Sequence, residues 1–262
     1  MGKRRNSWSE KTYRRYLDEG RGSGDLAAYK PWLYTRDFPS KGKVTRIKGL
    51  VTGRIHHLFS RLELICFLYL ESLPKIEDIK EQFPLPLHAT QLIAAKLKIK
   101  HPEVSGFPYV MTTDFYYRQD SQWHAIQIKQ STALEDKRVL EKFEIEKCYW
   151  ESQNIDFKIM TEQNLNPNLA RNIMWLRTGE SLETLIPDPL FRNEIKQLFL
   201  DLYSDLTLNF QDIIHEIDSQ CCFIKGTTIQ IFKSLIISQD IQLDLNKPIN
   251  FYDPRIVSIY SI

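Results

Sequence analysis

The sequence predicts an α/β protein: a mixed sheet with flanking helices, followed by a mainly helical, winged-helix-like module. Three observations carry that expectation. Segments of period-two alternation are interleaved with segments of helical spacing over the first 165 residues or so. At "EQNLNPNLARN", residues 162–172, Asn and Pro punctuate the chain and its texture changes. Beyond that point nearly every segment repeats its apolar residues at helical intervals. The division expected is 1–165 and 166–262, and 262 residues is a natural length for two domains.

Taken in order, "SWSEKTYRRYL" reads as a short helix from Ser7 to Leu17, ended by the glycine-rich loop "DEGRGSGD". That loop lacks the G-K-[ST] ending of a phosphate-binding loop. "KVTRIKGL" and "GRIHHLF" read as extended segments. "SRLELICFLYLES", residues 60–72, is a helix with Ser60 as N-cap and Glu63 three residues later, as in a capping box. "KIEDIKEQFPL" is a strand, in which Glu77, Asp78 and Glu81 are expected to be solvated charges. "HATQLIAAKLKIK" is a second helix. "FPYVMTTDFYYRQD" and "QWHAIQIKQS" form a hairpin of two central strands. "ALEDKRVLEKFEIEKCYWESQN" is a long amphipathic helix whose Glu144 and Glu146 are expected to be exposed, and "DFKIMTE" is a closing strand. In the second part, "NLARNIMWLR", "LFRNEIKQLFLDLYS", "LNFQDIIHEIDSQ" and "TTIQIFKSLIIS" are helices. A short "IQLDL" strand and an apolar tail follow them, and helices plus a small strand fit a winged-helix module.

Apolar residues make up 42% and charged residues 26%, as in a soluble globular protein. No run of apolar residues is long enough to span a bilayer, and "MGKRRNSWSE" lacks the apolar stretch of a signal peptide. A cytoplasmic protein with no membrane partner is the expectation. Cys66, Cys148, Cys221 and Cys222 contain no C-x-x-C pair and are expected to be reduced thiols in the core. Residues 1–58 carry 14 Lys or Arg against 5 Asp or Glu, whereas the remainder carries 21 against 28. A basic arm ahead of an acidic body implies a polyanionic partner. His56 and His57, adjacent on a strand, point to opposite faces and are poorly placed to share an ion, so surface or DNA-backbone roles are expected.

The chemistry centres on "SQWHAIQIKQS", residues 121–131. Alternation turns Ile126 and Ile128 one way and Gln127 and Lys129 the other. On the preceding strand Val110, Thr112, Asp114 and Tyr116 are expected to share one face. Pairing of the two strands brings Asp114 to Gln127 and Lys129. An aspartate and an amide oxygen suit a hard divalent cation, which lowers the pKa of a bound water and stabilises charge on a phosphate. A lysine beside them orients the water and offsets charge in the transition state. Glu63, on the first long helix, supplies a further carboxylate. The candidate catalytic residues are therefore Glu63, Asp114 and Lys129, with Glu63, Asp114 and Gln127 as metal ligands.

"SRLELICFLYLES", "VMTTDFYY", "HAIQIKQS" and "EKCYWESQNIDFKIMTE", in that order, resemble the TnsA family of endonuclease subunits of heteromeric transposases. The C-terminal stretch "LNFQDIIHEIDSQCCFIKGTTIQIFKSLIISQDIQLDLNKPI" is similar to that family's helical C-terminal domain. The resemblance implies a restriction-endonuclease-like catalytic domain in which Glu63, Asp114 and Lys129 match the catalytic acids and lysine, and Gln127 matches an unusual Gln. It further implies Mg²⁺, with Mn²⁺ able to substitute, and double-stranded DNA at transposon ends, cut at their 5′ ends. The partners implied are a DDE-type (TnsB-like) transposase subunit and an AAA+ (TnsC-like) ATPase regulator met through the C-terminal domain. A stand-alone restriction or repair nuclease and a non-catalytic DNA-binding adaptor are the rival readings.

Overall fold

The computed structural model describes residues 8–37, 44–205 and 207–249. Lys3, Arg4, Arg5, Lys41 and Lys43 of the basic arm, and the apolar tail from residue 250 on, lie outside the described residues. The chain divides into two compact units, Met1–Asn166 and Pro167–Ile262.

The first unit is built on a four-stranded sheet of order β3-β6-β7-β8, formed by β3 (Ile76–Pro84), β6 (Thr112–Gln119), β7 (Gln122–Ile128) and β8 (Asp156–Met160). The β3–β6 and β6–β7 pairs are antiparallel and β7–β8 is parallel, so the sheet is mixed. Asp120 and Ser121, both at positive φ, make the tight β6–β7 turn. A hairpin of β1 (Thr45–Lys48) and β2 (Ile55–Leu58) precedes the sheet. A second hairpin, β4 (Glu103–Val104) with β5 (Phe107–Pro108), takes residues that the sequence assigned to the central strand. Ser105 and Gly106, both at positive φ, supply its two-residue turn.

Helices cover both faces of the sheet. Helix α2 (Arg61–Glu71) presents Phe67 to Phe115 of β6 on one side and to His56 of β2 on the other, with ring centroids 6.4 and 4.4 Å apart. This explains why its apolar residues run almost all the way round. On the opposite face, α3 (Leu87–Leu97) and α4 (Lys137–Ser152) enclose a core of Ala94, Ala125, Ile145, Tyr149 and Trp150. Helix α1 (Glu10–Asp18) is capped by Ser9 and packs through Tyr16 and the preceding Trp8 against Trp32 and Val110.

Three sequence expectations about charge are corrected here. Asp78 and Glu81 of β3 are buried rather than solvated, while Glu77 is half-buried and pairs with Arg118. Glu81 is wholly buried because Arg54 grips its carboxylate, with Nη1 to Oε1 at 2.8 Å, and His56 Nδ1 lies 2.8 Å from Oε2. Burial pushes the Glu81 carboxyl up, but His56 and Arg54 outweigh it and hold the group at about 2. Arg54 also donates to the Ile79 carbonyl, Tyr29 to the Glu81 carbonyl and the Trp32 N–H to the Gln82 carbonyl. His56 is therefore a core residue bonded to Thr52 and Glu81, not a surface or DNA-contacting one, and His57 pairs with Thr35. Arg54→Ala leaves the buried Glu81 carboxylate with only His56 and the His57 N–H as partners and is expected to destabilise the unit by about 3 kcal/mol, read as a lowered urea midpoint. An unchanged midpoint would remove this network from the account of stability. The third correction concerns Glu146, buried on α4, whereas Glu144 is exposed as expected. Of the four free cysteines only Cys66 is buried; Cys148 and Cys221 are half-buried and Cys222 is exposed.

The second unit is helical: α5 (Pro167–Leu176), α6 (Leu182–Leu185), α7 (Pro189–Ser204), α8 (Phe210–Gln220) and α9 (Thr227–Ile237). They enclose Phe199, Phe210, Ile217, Phe232 and Leu235. Residues 241–245 form no strand among the described residues, so the wing expected at "IQLDL" is not found. That segment is instead tied down by Asn172, whose amide donates to the carbonyls of Leu245 and Lys247. Among the described residues no helix is long and apolar enough to cross a membrane.

Candidate active site

Asp114 sits where the sheet ladder opens. The β3–β6 register runs from Glu81↔Phe115 to Phe83↔Thr113, leaving Gln82 and Asp114 between them, and the β6–β7 register stops at Phe115↔Ile126. Side-chain bonds replace the missing ladder bonds. The Asp114 N–H donates to Gln127 Oε1 at 3.0 Å, and the Ile128 N–H donates to Asp114 Oδ2 at 2.9 Å. Gln82, at φ +49°, donates from Nε2 to Asp114 Oδ1 at 3.1 Å and accepts from Thr112 Oγ1 at 3.2 Å. The expected alternation of faces also breaks here. Thr113 and Tyr116 both meet Trp150 of α4, one by a 2.9 Å hydrogen bond and the other by ring stacking at 4.9 Å.

Glu63 reaches the same place from α2. Ser60 Oγ accepts from its backbone N–H at 3.1 Å, while its own carboxylate accepts from the Phe59 N–H at 2.8 Å, one residue before the position a capping box predicts. Burial and then the neighbouring Asp114 raise the Glu63 carboxyl to about 8. Burial also raises Asp114, opposed by Lys129 and by the bonds from Ile128 and Gln82. Lys129 follows the last residue of β7, and its backbone N–H is tied to the Met160 carbonyl at 3.1 Å. Its ammonium lies close enough to pull down Glu63, Asp114 and Glu146 alike, and it forms no ion pair among the described residues. The four residues singled out from sequence, Glu63, Asp114, Gln127 and Lys129, are thus brought to one end of the sheet.

Sequence reasoning missed two others. Gln82 orients the Asp114 carboxylate. Glu146 lies behind it, accepting from Thr113 Oγ1 at 2.5 Å, and burial raises its carboxyl to about 8. Groups holding a metal-binding carboxylate in place typically govern affinity or rate by about 10–100-fold. Gln82→Leu is accordingly expected to slow cleavage by roughly that factor without weakening DNA binding. Wild-type cleavage by the variant would show that the Gln82 bond does not matter.

The sequence of the chain has counterparts among known proteins. A family model described as TnsA-like endonuclease N terminal matches residues 73–162, and one described as TnsA endonuclease C terminal matches residues 164–245. The chain is 44% identical over 186 residues to the transposon Tn7 transposition protein TnsA of Escherichia coli, an alignment covering 70% of this chain and 68% of the relative. The chain belongs to the TnsA family. It is an endonuclease subunit of a transposase, and the family implies use of a divalent metal ion. Asp114, Gln127 and Lys129 lie inside the first matched region, whereas Glu63 precedes it.

The residues of this candidate site fit such an ion. Glu63 and Glu146, both buried and held near 8, mark a place with carboxylates in excess of cations. Two carboxylates and an amide oxygen are hard donors of the kind Mg²⁺ and Mn²⁺ prefer. Among the described residues no three His, Cys, Asp or Glu side chains converge as ligands. Glu63, Asp114 and Gln127 would therefore share the ion with water and substrate oxygens.

Proposed function

We propose that the chain hydrolyses phosphodiester bonds at the 5′ ends of a transposon, with Glu63, Asp114 and Gln127 holding Mg²⁺, or Mn²⁺ in its place, and Lys129 as the catalytic lysine. The observation that supports this reading most directly is the meeting of Asp114 with Gln127 at the break in the ladder, beside a lysine that forms no ion pair among the described residues. When bound, the ion lowers the pKa of a water and draws charge from the phosphate. The chain's own groups do the rest. Gln82 and the Ile128 N–H fix the carboxylate plane of Asp114. Lys129 orients the attacking water and offsets the negative charge that develops on the phosphate. Gln127 contributes oxygen without charge, so the site holds its ion less tightly than a third carboxylate would.

Excision of an element requires cutting the other strand as well, and a DDE-type (TnsB-like) transposase subunit would cut the 3′ ends. An AAA+ (TnsC-like) ATPase regulator would dock on the C-terminal domain, residues 166–262, and the catalytic domain would be 1–165. The C-terminal unit favours a protein partner. It carries 8 Lys or Arg against 12 Asp or Glu, a net of −4. Lys233 of α9 turns inward to Thr178 Oγ1 at 2.6 Å and over the Trp175 ring. The work would take place in the cytoplasm. The test is strand-specific mapping of cuts on transposon-end DNA with a cognate transposase subunit and Mg²⁺. Nicks at the 5′ ends that vanish in Lys129→Ala support the reading. Cleavage at multiple turnover by the isolated chain would favour a stand-alone nuclease instead, and unchanged function of Lys129→Ala would favour an adaptor.

A further inference from the structure

Away from the acids, the catalytic unit carries a cleft of about 360 Å³ between the β4–β5 hairpin and the first half of α4. Its charged lining is Lys100, Arg138 and Lys142 against the single carboxylate of Glu103. His101 adds no cation there: burial lowers its pKa, and its ring is tied to Pro102 and Thr90. Arg138 is held in place by the Lys100 carbonyl and Glu141. Lys142 is half-buried yet forms no ion pair among the described residues. Lys100 pairs with Glu103 at 2.8 Å on the exposed rim and Arg138 with Glu141, so Lys142 is the cation of the cleft without an ion pair among the described residues. An exposed pair such as Lys100–Glu103 holds weakly enough to exchange its carboxylate for a phosphate.

Two elements lead from the active site to this cleft. Along α4, Lys142 lies one turn and Arg138 two turns before Glu146, on the same side of the helix and about 6 and 12 Å away. Along the chain into β6, Tyr109 of the cleft lies four residues before Thr113, the partner of Glu146. The Trp8 ring lies 5.1 Å from that of Tyr109.

We propose that this cleft binds the sugar–phosphate backbone of the duplex a few nucleotides from the phosphate being cut, with Lys100 and Lys142 as phosphate contacts and Arg138 as their support. The proposal rests on the endonuclease reading and adds to it the place where the flanking DNA is held. Along α4 the roughly 12 Å from Glu146 to Arg138 equals three or four nucleotide steps at an axial rise of about 3.4 Å. An acidic protein segment would also match the charge. DNA is favoured because the chain belongs to a family of transposase endonucleases, for which a phosphate backbone is the polyanion at hand.

The experiment is a salt titration of binding to a duplex of about 30 base pairs and arbitrary sequence, in EDTA so that nothing is cut. The chain is compared with Lys100→Ala/Lys142→Ala, with Lys100→Arg/Lys142→Arg, and with Lys75→Ala, a lysine paired to Asp120 and remote in sequence from the cleft. Each lost phosphate contact lowers the slope of log K against log salt by about 0.9. The double Ala variant is expected to lose between about one and two in slope, and affinity about equally for all sequences. The double Arg variant and Lys75→Ala are expected to keep both. An unchanged slope in the double Ala variant, with normal binding by the parent chain, would overturn the cleft and leave the active-site reading standing. Loss of association with the transposase subunit at an unchanged DNA slope would likewise overturn it, in favour of an acidic protein partner. Failure of the parent chain to bind duplex DNA would overturn both.

Discussion

Asp114→Asn is expected to abolish cleavage, by roughly a thousandfold or more, while leaving the fold at least as stable as before. The two halves of that expectation have different causes. Activity falls because a neutral amide neither holds a divalent ion as a carboxylate does nor compensates the charge of Lys129. Stability survives because the surrounding donors can adapt. The Asn oxygen still accepts from the Ile128 N–H. The Gln82 amide can flip so that its oxygen faces the new NH₂, with the Thr112 hydroxyl turning from donor to acceptor. Removing an ion from a site where burial disfavours it is worth up to about 1 kcal/mol in the variant's favour, the usual trade of stability against function. Cleavage assays beside thermal unfolding check both halves. Full cleavage by the variant would remove Asp114 from the reaction, and a collapsed fold would show that its role is structural.

The second large effect is a dependence on pH. Glu63 and Glu146 both stand near 8, against an ordinary value of 4.5. A folded pKa above the unfolded one means that folding takes up a proton between those values. The stability each group contributes is complete below about pH 4.5 and is lost as pH rises through 8. One pKa unit corresponds to about 1.4 kcal/mol. The metal-free protein should therefore lose up to about 3 kcal/mol per pH unit from the two together between pH 5.5 and 7.5, then level off. Glu146→Gln should halve that slope. A divalent ion bound by Glu63 must displace its proton, so affinity is expected to rise nearly tenfold per pH unit and to flatten above 8. Urea unfolding in EDTA, and Mn²⁺ titration by calorimetry, measure the two trends. Flat profiles in both would show that neither carboxyl is perturbed.

The part of the site that the sequence revealed lies on consecutive strands. Asp114, Gln127 and Lys129 stand out because polar side chains interrupt segments that otherwise read as sheet core, and a short turn makes the two strands neighbours. Glu63 stands out as a capping acid. Gln82 gave no signal, since neither its burial nor its positive φ follows from residue type. Glu146 did leave one. It shares a helical stripe with Phe143 and Trp150, at spacings of three and four, so it belonged to the buried face rather than the charged one. His56 and Glu81 were misjudged for a related reason: each lies in a period-two row of core residues, where burial is possible only because the other is there. The helical second half was legible from periodicity. The "IQLDL" segment was not, because an apolar–polar alternation of five residues is equally consistent with a loop held down by Asn172.

The grip of Arg54, Tyr29 and Trp32 on β3 also decides how this sheet can meet other chains. β3 ends the strand order, and an edge strand with bare carbonyls invites pairing with a neighbouring molecule. Here the outward carbonyls of Ile79, Glu81 and Gln82 already have donors from within the chain. That flank is closed to strand addition. β8 forms the other edge, where the exposed Asp156 and Lys158 form an ion pair at 2.8 Å. Charge guards β8 as occupied carbonyls guard β3. A protein that must be brought together with partners on DNA is thereby kept from associating with copies of itself through its sheet.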